Sequence, residues 1–343
     1  MSLTKLKTRH WREQFRLKSK QDLMVKPYES THIASKISTF LFKFFILSFF
    51  AFIIIFPFYF MLQYSLTDKI WQDRSPEASW LWPQQYQDGL TYTNYKASNF
   101  KISLHFENYV NAFQAGYFQS LVFTAAITTL SILVRLFFSM TLGYALSMRK
   151  WKGKSVFFNL FISLMVLPEI ALLTGQYYVV TRLGWGIKSG SEFSGWLFVT
   201  FVIPFAASIF FSYMYKNAFE EIPDSVKESS MLDGASSFKY FIKIALPMVN
   251  PTTWTVAILT AFASWNSYTW PALIMNTTKT LWSPMNIWVF TTGKDYSTQQ
   301  TIVYTSIKMA ATFLAILPML IIYFILRKRI MKAISRQGRA TKG

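Results

Sequence analysis

Long apolar runs alternate with short polar and charged segments along most of this chain. The first run, from Phe44 to Leu62, contains nineteen residues without a charge. A helix rises about 1.5 Å per residue, so this run is long enough to cross a hydrocarbon core of about 30 Å. The pattern predicts a first transmembrane helix at residues 44–62.

Five further apolar stretches follow, and each is long enough for another transmembrane helix. The second runs from Asn108 to Ser147, and the others lie at about 156–181, 196–215, 248–274 and 309–326. Prolines occur in or beside them, which membrane helices tolerate where neighbouring helices satisfy the freed carbonyl groups. We therefore expect an all-α polytopic membrane protein with six transmembrane helices.

The composition agrees with a membrane protein and narrows the chemistry. Of the 343 residues, 52% are hydrophobic, 19% aromatic and only 15% charged. The absence of cysteine excludes a disulfide framework and a thiol nucleophile. His10, His32 and His105 do not have the spacing of metal ligands. We expect no catalytic site, no metal site and no cofactor in this chain.

The net charge of +19 raises the question of nucleic-acid binding. The positions of the basic residues along the chain decide between nucleic-acid binding and orientation in the membrane. Four segments hold 25 of the 35 lysines and arginines: the N-terminal tail, the turn after the second span, the loop near residue 228 and the C-terminal tail. The positive-inside rule places these segments, and hence both termini, in the cytosol. The charge indicates orientation in the lipid bilayer, and no nucleic-acid partner is expected.

These spans divide the chain into predicted regions. A basic cytosolic tail at 1–43, an external loop at 63–115, a transmembrane domain at 116–326 and a basic cytosolic tail at 327–343 accompany the first helix. The external loop is rich in tryptophan and tyrosine. It either contacts a partner outside the membrane or is a solvated insertion held by its own aromatic residues, and both interpretations stay open.

A charged segment at residues 219–247, here called the signature loop, separates the fourth and fifth spans. Gly234 suits the C-terminal cap of a short helix that ends at Asp233. Ser236 or Ser237 can cap a second amphipathic helix, which Pro247 is expected to stop. The sequence predicts two short helices joined by a glycine turn.

The signature loop resembles the loop shared by the inner-membrane permeases of binding-protein-dependent ABC importers. In the family pattern, Glu-Ala-Ala is followed after three residues by Gly, after nine more by Ile, and after one more by Leu-Pro. The same spacing here holds Glu228, Gly234, Ile244, Leu246 and Pro247, whereas Ser229 and Ser230 replace the alanines. Shorter matches, such as Gly143-Tyr144-Ala145-Leu146, extend the resemblance over about 105–343.

The resemblance implies a type I ABC importer permease fold and a set of partners. These are two ATPase subunits that bind and hydrolyse ATP, a second related permease, and an extracellular or periplasmic solute-binding protein. The chain itself is then not an enzyme, and it lies in the bacterial inner or plasma membrane. The residues expected to form the ATPase-coupling surface are Val226, Glu228, Ser229, Ser230, Leu232, Asp233, Gly234, Phe238, Ile244, Leu246 and Pro247.

The fifth span carries an unusual number of hydroxyl, amide and indole groups. Ser264, Trp265, Asn266 and Trp270 suit a wet cavity in which sugars form hydrogen bonds and stack. Alternatively, the two tryptophans form an interfacial belt and the hydroxyls bond their own helix. The run Ser264-Trp265-Asn266 is similar to a motif of the carbohydrate-importing, maltose-type branch. It implies import of a sugar, an oligosaccharide or a solute like glycerol phosphate.

Two charges within the predicted spans need protein or water around them. Arg135 can pair with Glu169 and brace the second and third spans, or it can line a pathway. Two other functions also stay open, a self-contained secondary transporter and a membrane scaffold without transport. A secondary transporter needs an internal repeat, and none is visible in the sequence.

Overall fold

The computed structural model describes residues 33–68, 104–148, 151–185, 195–275, 282–295 and 302–340. The side chains of residues 33–36, 169 and 328–340 are not included in this description. The chain divides into two units, residues 1–59 and 60–343. In the first unit the described residues form one apolar helix with exposed side chains, such as Phe45 at 70%.

The described part is almost entirely helical. Its helices are α1 Ile33–Ser65, α2 Glu107–Gln114, α3 Tyr117–Ser147, α4 Lys154–Leu164, α5 Glu169–Arg182, α6 Trp196–Val202, α7 Ile209–Glu220, α8 Asp224–Leu232, α9 Ser237–Tyr240, α10 Leu246–Met248, α11 Asn250–Trp265, α12 Thr269–Met275, α13 Met285–Thr291 and α14 Thr305–Ala340. A 3-10 turn, Ile203–Phe205, lies between α6 and α7, and a π-helical segment, Phe241–Ala245, joins α9 to α10. Two short antiparallel strands, β1 Lys294–Asp295 and β2 Ile302–Val303, precede α14.

Three helices are long and apolar enough to cross a membrane: Ile37–Ser65 of α1, α3, and Thr305–Arg327 of α14. Two bent helix pairs raise the number to five if each pair forms one span. One pair is α6 with its 3-10 turn and α7, bent by 59°. The other joins Ser237–Met248 to α11 with a bend of 70°. The described residues thus provide three to five spans, compared with the six predicted from the pattern.

The predicted third span, 156–181, is not one continuous helix. Helix α4 ends at Leu164, and α5 begins at Glu169, directly after Pro168. Proline restricts the residue before it and removes a backbone donor, so the apolar run is interrupted there. Hydropathy alone did not reveal this break because every residue from Met165 to Pro168 is uncharged.

Other predicted bounds also shift. Helix α1 extends beyond the predicted 44–62 at both ends, and α2 lies inside the predicted external loop 63–115. Helix α14 continues into the predicted C-terminal tail as far as Ala340. The second helix of the signature loop ends at Met248, one residue after Pro247 and close to the predicted stop.

The two ends of the predicted external loop are joined by hydrogen bonds. The side-chain amide of Asn108 donates to the backbone oxygens of Ser65 (2.9 Å) and Thr67 (2.8 Å). The hydroxyls of Ser65 and Tyr109 lie 2.6 Å apart. Asn108 is buried, so these bonds satisfy groups that water does not reach easily. They fix the start of α2 against the end of α1.

Three apolar clusters hold the second unit together. One joins α3, α5, α6 and α12 through residues that include Phe123, Leu173, Phe201 and Trp270. Another joins α2, α13 and α14, and a third joins α7 to α11 and the signature loop. Within a lipid bilayer such clusters are stabilised by van der Waals packing between helices, because lipid tails are as apolar as these side chains. The first cluster forms one wall of the cavity described below.

Helices α3 and α7 approach each other closely at Gly143 of α3. A Cβ atom at this position would lie 2.5 Å from Cβ of Tyr215 and 2.7 Å from the backbone oxygen of Ser212, both on α7. Such distances are too short for any side chain, so glycine is required there. The crossing packs the C-terminal part of α3 against α7, the helix that leads into the signature loop.

Candidate functional site

The first helix of the signature loop ends as predicted. Helix α8 ends at Leu232, and Gly234 has φ +75°, the left-handed conformation that glycine adopts without strain. The backbone N–H of Ala235 donates to the oxygen of Ser230 (3.0 Å), and that of Gly234 donates to the oxygen of Met231 (3.1 Å). This bond pair is the Schellman arrangement, which satisfies the last carbonyl groups of a helix.

The second helix of the signature loop has the predicted serine cap. The hydroxyl of Ser236 accepts a hydrogen bond from the backbone N–H of Lys239 at 3.3 Å. The chain then enters the π-helical segment, which the sequence pattern did not predict. A π turn widens the helix by one residue and changes which side chains share a face. Phe238, before this segment, is 73% exposed, whereas Ala245 at its end is fully buried.

The outer surface of the signature loop combines apolar and charged groups. Leu232 is 90% exposed and Met231 is 52% exposed, and Glu228 and Asp233 are exposed beside them. Ser229 is also exposed, but Ser230 is buried within this chain. Val226, Ile244 and Leu246 are half-buried, and Pro247 is exposed. Exposed leucine, methionine and phenylalanine side chains on one small loop are typical of a surface that another protein covers.

The inner side of the loop rests on aromatic side chains. The ring centroid of Phe241 lies 4.6 Å from that of Tyr144 on α3 and 6.2 Å from that of Phe219 on α7. The rings of Tyr144 and Phe219 are 5.2 Å apart, so the three rings touch one another. Glu220 at the end of α7 contacts Lys216 (2.6 Å) and Lys154 (3.7 Å). The signature loop is therefore packed against α3 and α7, and its position is set by these contacts.

A cavity of about 590 Å³ lies between α3, α5, α6 with the 3-10 turn after it, α11 and α12. Hydroxyl and amide groups supply much of its lining; the polar lining residues include Thr124, Ser131, Gln176, Ser208, Ser264, Asn266, Ser267 and Thr269. Apolar side chains such as Ile127, Phe201 and Phe205 complete the wall. Few charges and many neutral hydrogen-bonding groups make a site that suits a hydroxylated solute.

Three of the four predicted pathway residues line this cavity. Ser264 donates a hydrogen bond of 3.5 Å to the hydroxyl of Ser131, and Asn266 lies at the C-terminal end of α11. The indole N–H of Trp270 donates to the backbone oxygen of Thr200 (3.0 Å), and its ring packs edge-on against Phe205 (5.7 Å). These contacts fix Trp270 in the wall.

Trp265, the fourth predicted pathway residue, is not among the residues that line the cavity. Its side chain is 6% exposed, and its backbone oxygen accepts a hydrogen bond from the amide of Asn286 at 3.0 Å. The same amide donates to the oxygen of Ser267 at 3.1 Å. Asn286 therefore holds the break between α11 and α12. Sequence reasoning missed it because nothing near residue 286 signals a contact with this break.

Arg135 lines the cavity and contacts the break between α6 and α7. Its Nε atom donates to the backbone oxygen of Phe205 at 2.9 Å, and its guanidinium lies 5.8 Å from the ring centroid of Phe211. A carbonyl freed by a broken helix needs a donor, and Arg135 supplies one. The side chain of Glu169 lies outside the described part of the structure, so the pairing of Arg135 with Glu169 stays a prediction.

Comparison with known proteins defines the class. The family model for the inner membrane component of binding-protein-dependent transport systems matches residues 135–336. A probable ABC transporter permease, the MG189 homolog of Mycoplasma pneumoniae, is 41% identical over 310 residues, 88% of this chain and 89% of that protein. The chain belongs to this permease family.

Two further comparisons concern the transport system and the fold. The probable permease AmyC of Thermoanaerobacterium thermosulfurigenes, named for transport of starch degradation products, is 29% identical over 71% of this chain and 79% of that protein. A solved bacterial ABC transporter involved in the import of the polysaccharide alginate matches with a TM-score of 0.66. That match covers 88% of this chain and 99% of the other at 19% identity, which shows the fold alone. The chain is therefore a multi-pass membrane permease of an ABC importer.

Proposed function

We propose that this chain forms half of the translocation pathway for a sugar, an oligosaccharide or a glycerol-phosphate-like solute. The observation that carries the proposal is the cavity of about 590 Å³, whose lining combines hydroxyl and amide groups with the ring of Trp270. Neutral hydrogen-bonding groups and an aromatic face together bind polyhydroxylated solutes. The relative named for transport of starch degradation products supports the same class of solute.

The energy comes from two separate ATPase subunits, whose surface grooves carry the short helices of the signature loop. Its exposed surface, with Leu232, Phe238 and Glu228, is the part of the described chain best suited to such contact. When ATP closes the two ATPase subunits, the loop moves with them as a rigid body and switches the cavity from inward-facing to outward-facing. ATP and Mg²⁺ belong to the ATPase partners in this scheme, and this chain binds no cofactor and catalyses no reaction.

The proposed topology has six spans with both termini in the cytosol of a bacterial cell. Helix α1, α3, the α4–α5 pair, the α6–α7 pair, α11 with α12, and α14 supply these spans. The distribution of lysine and arginine supports the orientation, because 25 of the 35 lie before or in the first part of α1, between α3 and the start of α4, in or just before the signature loop, and in the last part of α14 with the residues after it. A second, related permease completes the pathway, and an external binding protein delivers the solute.

Reconstitution tests this function directly. The complete importer in liposomes should take up labelled maltotriose, arabinotriose, diacetylchitobiose or glycerol 3-phosphate only when ATP and the solute-binding protein are present. Uptake by this chain alone would instead establish a secondary transporter. Failure to co-purify with an ATPase through residues 220–247 would favour a scaffold. Either result would overturn the proposal.

A further inference from the structure

Gln176 is the one amide that α5 contributes to the cavity. Its Nε2 atom lies 3.5 Å from the backbone oxygen of Pro204, which is the long limit of a hydrogen bond. Its Oε1 atom is buried, and no described residue donates a hydrogen bond to it. The side chain therefore holds one weak bond and one unsatisfied acceptor.

The backbone oxygen of Pro204 identifies which atom of this amide is the nitrogen. Exchanging the oxygen and nitrogen atoms would place Oε1 against the oxygen of Pro204, where two acceptors repel each other. In the observed orientation the unsatisfied atom is thus the carbonyl oxygen. A buried acceptor without a donor is unfavourable, so a donor that enters the cavity gains by reaching it.

The surroundings of Gln176 indicate what kind of donor this is. Ser131, Ser208 and Ser264 line the same cavity, and all of them are neutral hydroxyl groups. A solute that fits this lining carries several hydroxyl groups of its own, each able to donate. The terminal torsion of a glutamine is broad, so a small rotation turns Oε1 towards the cavity when the weak bond to Pro204 is released.

We propose that Gln176 is a specificity-determining residue, whose side-chain oxygen accepts a hydrogen bond from a hydroxyl group of the transported solute. The inference rests on the proposed function and goes one step beyond it, because it places the solute in contact with this permease rather than with its partner permease alone. The proposal assigns different roles to Gln176 and Arg135. Both contact the break between α6 and α7, but Arg135 forms the shorter bond and supports the wall.

The test uses the assembled importer in liposomes with saturating, solute-loaded binding protein, so that the affinity of the binding protein does not limit uptake. Maltotriose, arabinotriose, diacetylchitobiose and glycerol 3-phosphate are compared first. Monodeoxy derivatives of the best probe are then measured on the wild type and on Gln176→Leu. The binding of each derivative to the binding protein is measured separately.

One derivative should be taken up roughly 3- to 10-fold more slowly than its parent by the wild type. The Gln176→Leu variant should take up the parent solute more slowly than the wild type does, by a similar factor. It should take up the parent and the derivative at equal rates. The ATPase rate should stay unchanged. Gln176→Met, which keeps the length of the side chain, provides the same measurement if the leucine variant does not assemble. Thr174→Val is the matched control, since Thr174 is exposed on α5 and does not line the cavity.

The outcomes separate this inference from the function on which it depends. If the wild type takes up none of the four probes, the proposed function is wrong and the inference fails with it. If the wild type takes up a probe and both Gln176 variants keep its full preference over every deoxy derivative, only the inference is wrong. An equal loss for parent and derivatives, together with a lower ATPase rate, would show a structural role and also overturn it.

Discussion

The signature loop and the cavity are built in opposite ways. The loop is formed by one continuous stretch, 219–247, and its turn depends on neighbouring residues such as Asp233 and Gly234. The cavity takes its lining from Thr124 on α3 to Pro284 before α13, 160 positions further along the chain. A surface that docks on another protein can be encoded locally, whereas a pathway between helices requires the tertiary fold. Substitutions in the two regions should accordingly change different quantities.

The largest effect is expected at Gly234. A β-branched residue disfavours φ +75°, so Gly234→Val should strain the turn by about 1–3 kcal/mol and displace the surface proposed to bind the ATPase. Uptake in the reconstituted importer should fall about tenfold or more, while ATP hydrolysis continues. Gly234→Asn is the control, because asparagine tolerates this conformation better. Unchanged uptake in Gly234→Val would contradict the coupling role of the loop.

Leu232 should have the next largest effect, and only on binding to the ATPase. The side chain is 90% exposed, so Leu232→Ala should leave the thermal stability of this chain unchanged. Covering a leucine in an interface contributes roughly 1.5 kcal/mol, so the affinity for the ATPase should fall about tenfold. The measurement is titration of the purified permease pair with ATPase subunits.

Leu104→Ala provides a comparison for Leu232. Leu104 is 54% exposed and lies in the predicted external loop, away from the cytosol. Its substitution should not change the affinity for the ATPase. Equal weakening by both variants would mean that Leu232 has no special place in the interface.

The difference between the regions also decides what the sequence could reveal. The end of α8 at Gly234 and the cap at Ser236 follow from local chemistry, and both predictions were confirmed. The cavity was anticipated around α11 and α12, where Ser264, Asn266 and Trp270 are close in sequence, and as one of two alternatives for Arg135. The opposite wall, including Gln176, belongs to a stretch that reads as ordinary apolar helix.

Features that depend on tertiary contact were missed altogether. The π-helical segment Phe241–Ala245 follows no local pattern, and it is packed against Tyr144 and Phe219 from two other helices. The break at Pro168 has a local cause, but it was read as part of one span because hydropathy averages over it. The requirement for glycine at position 143 arises from Tyr215 and Ser212, which are about 70 positions away. The roles of the predicted coupling and pathway residues stay predictions.

A smaller effect, on stability, is expected at Asn286, which holds the break between α11 and α12 beside the cavity. Asn286→Ala removes the donors to the oxygens of Trp265 and Ser267 and should lower the free energy of unfolding by about 1 kcal/mol. The thermal unfolding midpoint of the purified permease pair measures it. Asn250→Ala, at an exposed asparagine at the start of α11, should leave the midpoint unchanged. An unchanged midpoint for Asn286→Ala would show that the break is held by other contacts.

The smallest effects are expected from a serine-to-alanine substitution made once in the cavity and once in the signature loop. Ser264→Ala removes a hydroxyl that lines the cavity and forms only a 3.5 Å bond to Ser131, so stability should change by less than about 0.5 kcal/mol. Uptake should fall roughly twofold if that hydroxyl meets the solute. Ser229→Ala removes an exposed hydroxyl that bonds the oxygen of Ser225 in its own helix, and it introduces the alanine of the family pattern. Uptake and ATPase affinity should then stay at the wild-type level. Because the chemical change is identical, a loss at Ser229 with none at Ser264 would reverse the assignment of the two regions.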